Sequence, residues 1–397
     1  MQKTIVFLLD GLPDSPRRDS PLRLAKKPNL DRLLQSAWLG QFTPLSGRAW
    51  PRTGAGSVSH IANLAILGYN VTRLQTARGP IEAVGSGASY RNGWLAFRCN
   101  FATLGSDGRL LDRRAGRASW GLDQLIRDLN KISFQLPFRL TRTAGHRAVL
   151  VFTQPLSDAI TASDPGQIGR PPAPIKPTKH DAAATMSAAM IGQFLERVRT
   201  TLATHPVNRA RIARGLLPAN ILLVREPGNR LPRLRSFLRT HRLRDGIVIA
   251  GPGAVRGTCL LAGFRAATMP DHADAADHLR ATFKAITEHA HEAQLTYVHI
   301  KGPDEAAHDR DCQRKQAVIE MFDRAFGRLF KTFGTEGWTY AFTADHRTDC
   351  HLGQHRPGSV PLLVVSNKKN PKPPTEFSEL AARTRIRDPW SLILGEH

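Results

Sequence analysis

The stretch Lys3-Thr4-Ile5-Val6-Phe7-Leu8-Leu9-Asp10-Gly11-Leu12 sets the fold class. An unbroken apolar run, Ile5 to Leu9, closed by an acidic residue and a glycine describes a strand buried on both faces that ends in a loop. Comparable runs recur at Asn220–Val224, Gly246–Ala250, Thr296–Ile300, Thr339–Thr343 and Val360–Val365. Helical periodicity lies between them, notably over His180–Thr204 and Gln313–Phe330. Alternation of this kind predicts an α/β fold with a mostly parallel sheet flanked by helices. Ile5–Leu9 is too short for a signal-peptide core or a membrane span, and no later run reaches that length.

The region from Phe97 to Gln154 has a different rhythm. Strand-like Phe97–Leu104, a turn at Ser106-Asp107-Gly108, a helix near Gly121–Ile132 and strand-like Phe138–Thr141 and Ala148–Phe152 describe a small α+β module. The proline-rich stretch Arg170–Pro177 would close it. The expected division is therefore a core of residues 1–85 and 180–397, with 86–179 inserted.

The chain of 397 residues is 41% hydrophobic and 22% charged, enough to bury a sizeable core and unlike a disordered segment. Its 56 basic and 33 acidic residues leave a net charge of +23, which points to anionic partners. Nucleic acid is disfavoured, because no basic block is interleaved with aromatics and aromatics make up only 7%. Cys99, Cys259, Cys312 and Cys350 are widely spread with no CxxC pair, so they read as free thiols of a cytoplasmic chain.

Candidate chemistry gathers where strands end, the place where open α/β sheets bind ligands. Asp10 follows the first strand, Asp304 follows Thr296–Ile300, and Asp345-His346 follow Thr339–Thr343. His308 lies four residues after Asp304, on the same face of any helix beginning there, and His355 precedes the last strand. Mixed carboxylate and imidazole donors suit Mn²⁺, Zn²⁺ or another divalent ion, and this many suggest two.

Several stretches carry a family resemblance: Leu9-Asp10-Gly11-Leu12, Leu64-Ala65-Ile66-Leu67-Gly68-Tyr69, Arg78-Gly79-Pro80-Ile81-Glu82-Ala83 and Phe97-Arg98-Cys99-Asn100-Phe101-Ala102-Thr103. Asp112-Arg113-Arg114-Ala115-Gly116-Arg117, His205-Pro206-Val207-Asn208-Arg209 and Asp304-Glu305-Ala306-Ala307-His308 continue it in order along nearly the whole chain. Together they resemble the archaeal-type cofactor-independent phosphoglycerate mutases, members of the alkaline phosphatase superfamily. The resemblance implies an alkaline-phosphatase-like core with an inserted domain over the cleft. It also implies phosphoryl transfer between the 3- and 2-hydroxyls of glycerate through a phosphoserine, with no 2,3-bisphosphoglycerate. By motif match, Asp10, Ser59, Asp345 and His346 would hold one ion, and Asp304, His308 and His355 the other, with Mn²⁺ expected ahead of Zn²⁺, Co²⁺ or Mg²⁺. Ser59 matches the family's nucleophile in register, five residues before Leu64, although Ser57 or Ser59 could simply cap the following helix.

Around that serine the family reads Gly-Ser-Asp-Thr-Ala-His, whereas this chain reads Val58-Ser59-His60-Ile61-Ala62-Asn63. The change motivates an alternative: a metal-dependent phosphatase or phosphotransferase for another phosphorylated or phosphonate metabolite. In either case the substrate is a small phosphorylated anion, and arginine supplies fork-shaped donors for phosphate and carboxylate. The expected substrate contacts are Arg98, Arg113, Arg114, Arg117, His146, Arg147 and Asp164, whereas Arg78 and Glu82 read as structural.

Overall fold

The computed structural model describes residues 2–45, 47–50, 58–74, 77–269, 274–365 and 373–395. Its strands, numbered in chain order, are β1 (Lys3–Leu9), β2 (Trp38–Phe42), β3 (Trp94–Leu104), β4 (Leu110–Asp112), β5 (Phe138–Arg142), β6 (Arg147–Pro155) and β7 (Ile221–Gly228). They continue as β8 (Gly246–Ile249), β9 (Arg265–Ala266), β10 (Leu295–Ile300), β11 (Trp338–Thr343), β12 (Arg347–Asp349), β13 (Gln354–Arg356) and β14 (Val360–Val365). The chain divides into two units. One comprises Met1–Leu74, Leu234–Gly251 and Thr258–His397, and the other Gln75–Arg233 and Pro252–Gly257.

The first unit is built on a sheet in the order β2-β14-β11-β1-β10-β8-β9. β1 runs parallel to both β10 and β11, and β10 to β8, so the expected parallel centre is present. Ile5 to Leu9 are all buried, as a strand covered on both faces must be. The helix Cys312–Phe333 covers one face, laying Val318, Ile319, Phe322, Phe326 and Leu329 inward. Phe7 meets Phe322, Phe326 and Phe342 with ring centroids 5.5, 5.8 and 5.2 Å apart. Val360–Val365 differs from a parallel reading: β14 pairs antiparallel with β11 and then with β2. The link from β11 holds only the β12–β13 hairpin and no helix, so the chain returns without the crossover that parallel pairing requires.

The second unit carries the sheet β4-β3-β6-β5, with β7 pairing β3. Asn220–Val224 therefore does not join the parallel sheet. As part of β7 it runs antiparallel to β3, with Val224 opposite Cys99 and Leu223 opposite Asn100. The helix Ala182–Ala203 also belongs here, because Ala188, Ile191, Phe194, Val198 and Leu202 share one core cluster with Phe97, Phe101 and Phe152. These two elements carry the unit to Arg233, past the 86–179 range read from the sequence.

The cysteine reading needs correction. Cys99 and Cys259 are free and buried, but Cys312 and Cys350 form a disulfide. They are 38 residues apart in sequence with Cα atoms 5.3 Å apart. Only the packing of a helix start beside the loop after β12 brings them together, and sequence spacing carries no trace of that. Among the described residues, no helix is long and apolar enough to cross a membrane.

A candidate two-metal site

Three adjacent strands aim their carboxyl ends at one place. Asp10 leaves β1 with its backbone N–H bonded to the Ile300 carbonyl of β10 at 2.8 Å. Asp304 sits in the first turn of the helix Gly302–His308 that follows β10, and Asp345 follows β11. The β12–β13 hairpin returns His355 opposite Thr348, beside the same strand ends.

The side chains form two adjoining groups. Donor atoms of Asp10, Asp345 and His346 lie within 4.8 Å of one another, as do those of Asp304, His346 and His355. His346 Nε2 is 3.2 Å from Asp10 Oδ1 and 3.5 Å from Asp345 Oδ2. In the second group, His308 Nε2 and His355 Nε2 are 2.9 Å apart and lie 3.5 and 3.4 Å from the Asp304 carboxylate oxygens. His346 is thus shared, its ring 4.3 Å from that of His355, where the sequence placed it only in the set of Asp10, Ser59 and Asp345.

The charges show why cations fit here. Burial and the charges of Asp10 and Asp304 push Asp345 well above the usual carboxylate range. Burial would also raise Asp10, but His299 and His346 more than offset it and hold that carboxyl low. Asp304 is raised by burial and by Asp10, yet the charges of His308 and His355 bring it down to about 2. Buried carboxylates that repel one another need positive charge. Asp10 Oδ1 is buried and makes no well-formed hydrogen bond, so its lone pairs are available to a cation. His308 donates from Nδ1 to the Gly353 carbonyl at 2.9 Å, so that once a cation replaces the proton on Nε2 that nitrogen's lone pair faces inward, as metal-ligating histidines require.

Ser59 lies at the second position of the helix Val58–Ile66, with its Oγ 3.3 Å from His346 Nε2. Ser57 lies outside the described residues. One turn on, Asn63 is fully buried. Its Nδ2 donates to the Ser59 carbonyl at 2.8 Å and to Asp345 Oδ2 at 3.4 Å, and its Oδ1 accepts from the Tyr297 hydroxyl at 2.8 Å. The asparagine that departs from the family pattern therefore ties the serine's helix to a candidate ligand.

The second unit gathers the expected substrate contacts in two clusters. Arg113 donates twice to Asp164, at 2.9 and 2.8 Å, and Arg225 approaches the same carboxylate at 3.6 Å. Arg113 and Asp164 thus meet each other. Arg98 is buried 3.9 Å from Glu226, which also lies 3.6 Å from Arg78, itself bonded to Glu82 at 2.8 Å. Burial would raise Glu82, but the charges of Arg78, Arg98 and Arg147 hold it near 2. Burial and the charges of Arg147, Arg98 and Arg117 push His146 down to about 2, so it stays neutral. Arg114 precedes the short helical turn Ala115–Arg117, its N–H bonded to Asp112 at 2.6 Å. Arg78 and Glu82, read as structural, are the inner part of this cluster.

Sequence reasoning missed Thr348, Asn63, Tyr297 and His299 as parts of the metal surroundings. Thr348 is bonded to Asp304, and His299 Nε2 lies 3.4 Å from Asp10 Oδ2. Tyr297 and His299 carried a signal: two polar-tipped residues at alternate positions of a fully buried strand.

Comparison with known proteins identifies the family. Residues 51–208 match the family model described as 2,3-bisphosphoglycerate-independent phosphoglycerate mutase. Proteins of that name from Methanopyrus kandleri and Thermoplasma volcanium are 33% and 34% identical to the chain. The alignments span 96% and 92% of this chain and 92% and 89% of theirs. The structure of a cofactor-independent phosphoglycerate mutase from Thermoplasma acidophilum aligns over 99% of this chain and 98% of its own, at 31% identity and TM-score 0.59. A Pyrococcus horikoshii protein shares the fold at TM-score 0.75 and 24% identity, over 99% of this chain and 97% of its own.

Proposed function

The chain belongs to the 2,3-bisphosphoglycerate-independent phosphoglycerate mutase family, and on that premise we propose that it is an isomerase interconverting 3-phosphoglycerate and 2-phosphoglycerate through a phosphoserine on Ser59. The observation that carries this reading is the convergence of Asp10, Asp345, His346, Asp304, His308 and His355 beside the Ser59 hydroxyl. Asp10, Ser59, Asp345 and His346 would hold one divalent ion and Asp304, His308 and His355 the other. Manganese is the proposed metal, and zinc, cobalt or magnesium are acceptable to the same donors. Two such ions, when bound, neutralise phosphate oxygens and lower the pKa of a serine hydroxyl.

In the first step Ser59 Oγ bonds to phosphorus as the P–O bond to the substrate breaks, and the proton given up by the serine hydroxyl ends on the leaving oxygen, which becomes a hydroxyl. The neighbouring hydroxyl of glycerate then attacks the same phosphorus, and the serine is regenerated. Catalysis of this type rests on positioning and charge stabilisation more than on proton transfer. Asn63 contributes by fixing both the serine's helix and Asp345. Arg98, Arg114, Arg117 and Arg147, with neutral His146, are proposed to hold the anionic groups of the substrate. Arg113 and Asp164 are proposed to act there as the pair they form. The reaction is placed in the cytoplasm, where a phosphorylated small molecule is available.

³¹P NMR of the chain with 3-phosphoglycerate and Mn²⁺, beside a chelated control, tests this. The expected result is 2-phosphoglycerate in the metal-loaded sample only, and none above background with Ser59→Ala. Inorganic phosphate alone would overturn the reading and favour the phosphatase alternative, and full activity in Ser59→Ala would overturn the phosphoserine step.

A further inference from the structure

Thr348 lies on β12, fully buried, with its backbone held at both ends. Its N–H donates to the Pro13 carbonyl at 3.0 Å, and its carbonyl accepts from Lys315 Nζ at 2.7 Å. Lys315 is itself fully buried and also bonds Asp14, whose other oxygen accepts the Cys350 N–H at 2.8 Å. Such a residue cannot drift, so its side chain is presented at a defined point.

That point lies between the two metal groups. Thr348 Oγ1 is 2.6 Å from Asp304 Oδ1 and 3.2 Å from His346 Nδ1. A hydroxyl carries one proton and two lone pairs, and an ionised carboxylate only accepts. The proton therefore goes to Asp304, and the oxygen accepts from His346 Nδ1–H. In the neutral ring that a cation would bind, a proton on Nδ1 leaves the lone pair on Nε2. That nitrogen faces Asp10 at 3.2 Å, Ser59 at 3.3 Å and Asp345 at 3.5 Å.

We propose that Thr348 is a positioning residue whose single hydroxyl sets the His346 tautomer and orients Asp304, so that the two metal sites are coupled through it. The inference deepens the two-metal reading and rests on it. Thr348 acts through one ligand of each group. Outer-shell partners of this kind change metal affinity by 10–100-fold when removed.

The test is direct metal binding to the full chain, stripped and then titrated with Mn²⁺ by calorimetry and with Co²⁺ by its visible absorption. Wild type, Thr348→Val, Thr348→Ala and Thr348→Ser are compared. Val keeps the shape and loses the hydroxyl, Ser keeps the hydroxyl, and Ala serves if Val does not fold. Thr348→Val or Thr348→Ala should bind about 10–100-fold more weakly with an altered Co²⁺ spectrum, and Thr348→Ser should stay within a few-fold of wild type. Wild-type affinity and spectrum in Thr348→Val or Thr348→Ala, or an equal loss in Thr348→Ser, would overturn the inference. Neither result depends on the substrate, so it leaves the mutase reading standing. A wild-type chain that takes up no ions would overturn the two-metal reading, and this inference with it.

Discussion

Replacing Gly11 with alanine probes the packing of the site at one atom. Gly11 follows Asp10 with φ of +59°, a conformation that costs an ordinary residue about 1–2 kcal/mol. A Cβ built there overlaps Thr348 Oγ1 and lies 2.8 Å from Asp304 Oδ1 and 3.0 Å from Asp304 Cβ. Thr348 cannot retreat, because Pro13 and Lys315 hold its backbone. The bond that gives way is the one from Thr348 to the Asp304 carboxylate, a charge-assisted contact of about 1.5–3 kcal/mol. Together these amount to about 2.5–5 kcal/mol. Equilibrium urea unfolding of metal-free Gly11→Ala against wild type measures the loss, and Mn²⁺ titration of the folded variant should show weaker binding. A loss under about 1 kcal/mol with unchanged metal affinity would refute the idea that this glycine is required for the Thr348–Asp304 contact.

Asn63→Leu should unfold about 1–3 kcal/mol more easily than wild type, because the Tyr297 hydroxyl loses its buried acceptor and Asp345 loses a donor; equal stability in urea would show that these bonds contribute nothing. Cys312→Ser opens a loop of 38 residues, for which chain entropy gives a loss of about 4 kcal/mol. Reductant should lower the stability of wild type toward the variant and leave the variant unchanged, and a variant as stable as oxidised wild type would contradict this. His146 is held at about 2 when folded, against 6.5 in an open chain, so the unfolded state takes up the proton first as pH falls. His146 should therefore make stability drop from pH 6.5 downward, by up to about 1.4 kcal/mol per pH unit, and His146→Gln should reduce the slope between 6.5 and 4.5, leaving the smaller share that the similarly lowered His355 contributes. Glu82, held near 2 against 4.5, contributes stability above 4.5 that is lost only as pH falls below it. An unchanged slope in His146→Gln would remove His146 as the source.

The legible parts of the fold are those with local causes. Lys3–Leu9, Gly246–Ile249, Leu295–Ile300 and Trp338–Thr343 are apolar enough along their whole length to be recognised as strands buried on both faces. β2 escaped notice because Gly40 and Gln41 interrupt its apolar character. β7 was recognised as a strand and assigned to the wrong sheet, since an apolar run does not name its neighbour. The candidate carboxylates Asp10 and Asp345 were legible for a related reason: a strand followed closely by an acidic residue marks the end of the sheet where ligands gather. Thr348 and Asn63 were not, because a threonine two residues after a histidine, or an asparagine one helical turn after a serine, has many uses.

From its sequence alone, this protein's α/β class, its parallel central strands, its family resemblance and the carboxylates and histidines of the candidate site could all be read. Each depends on residue type and short-range spacing, which the chain carries in order. Tertiary structure alone decided that His346 stands between two groups, that Arg113 faces Asp164, that Cys312 meets Cys350, and that one threonine hydroxyl touches a ligand of each group. These contacts join residues whose spacing along the chain is not repeated by any rule. They arise because packing the helices on the sheet leaves each side chain one place to go.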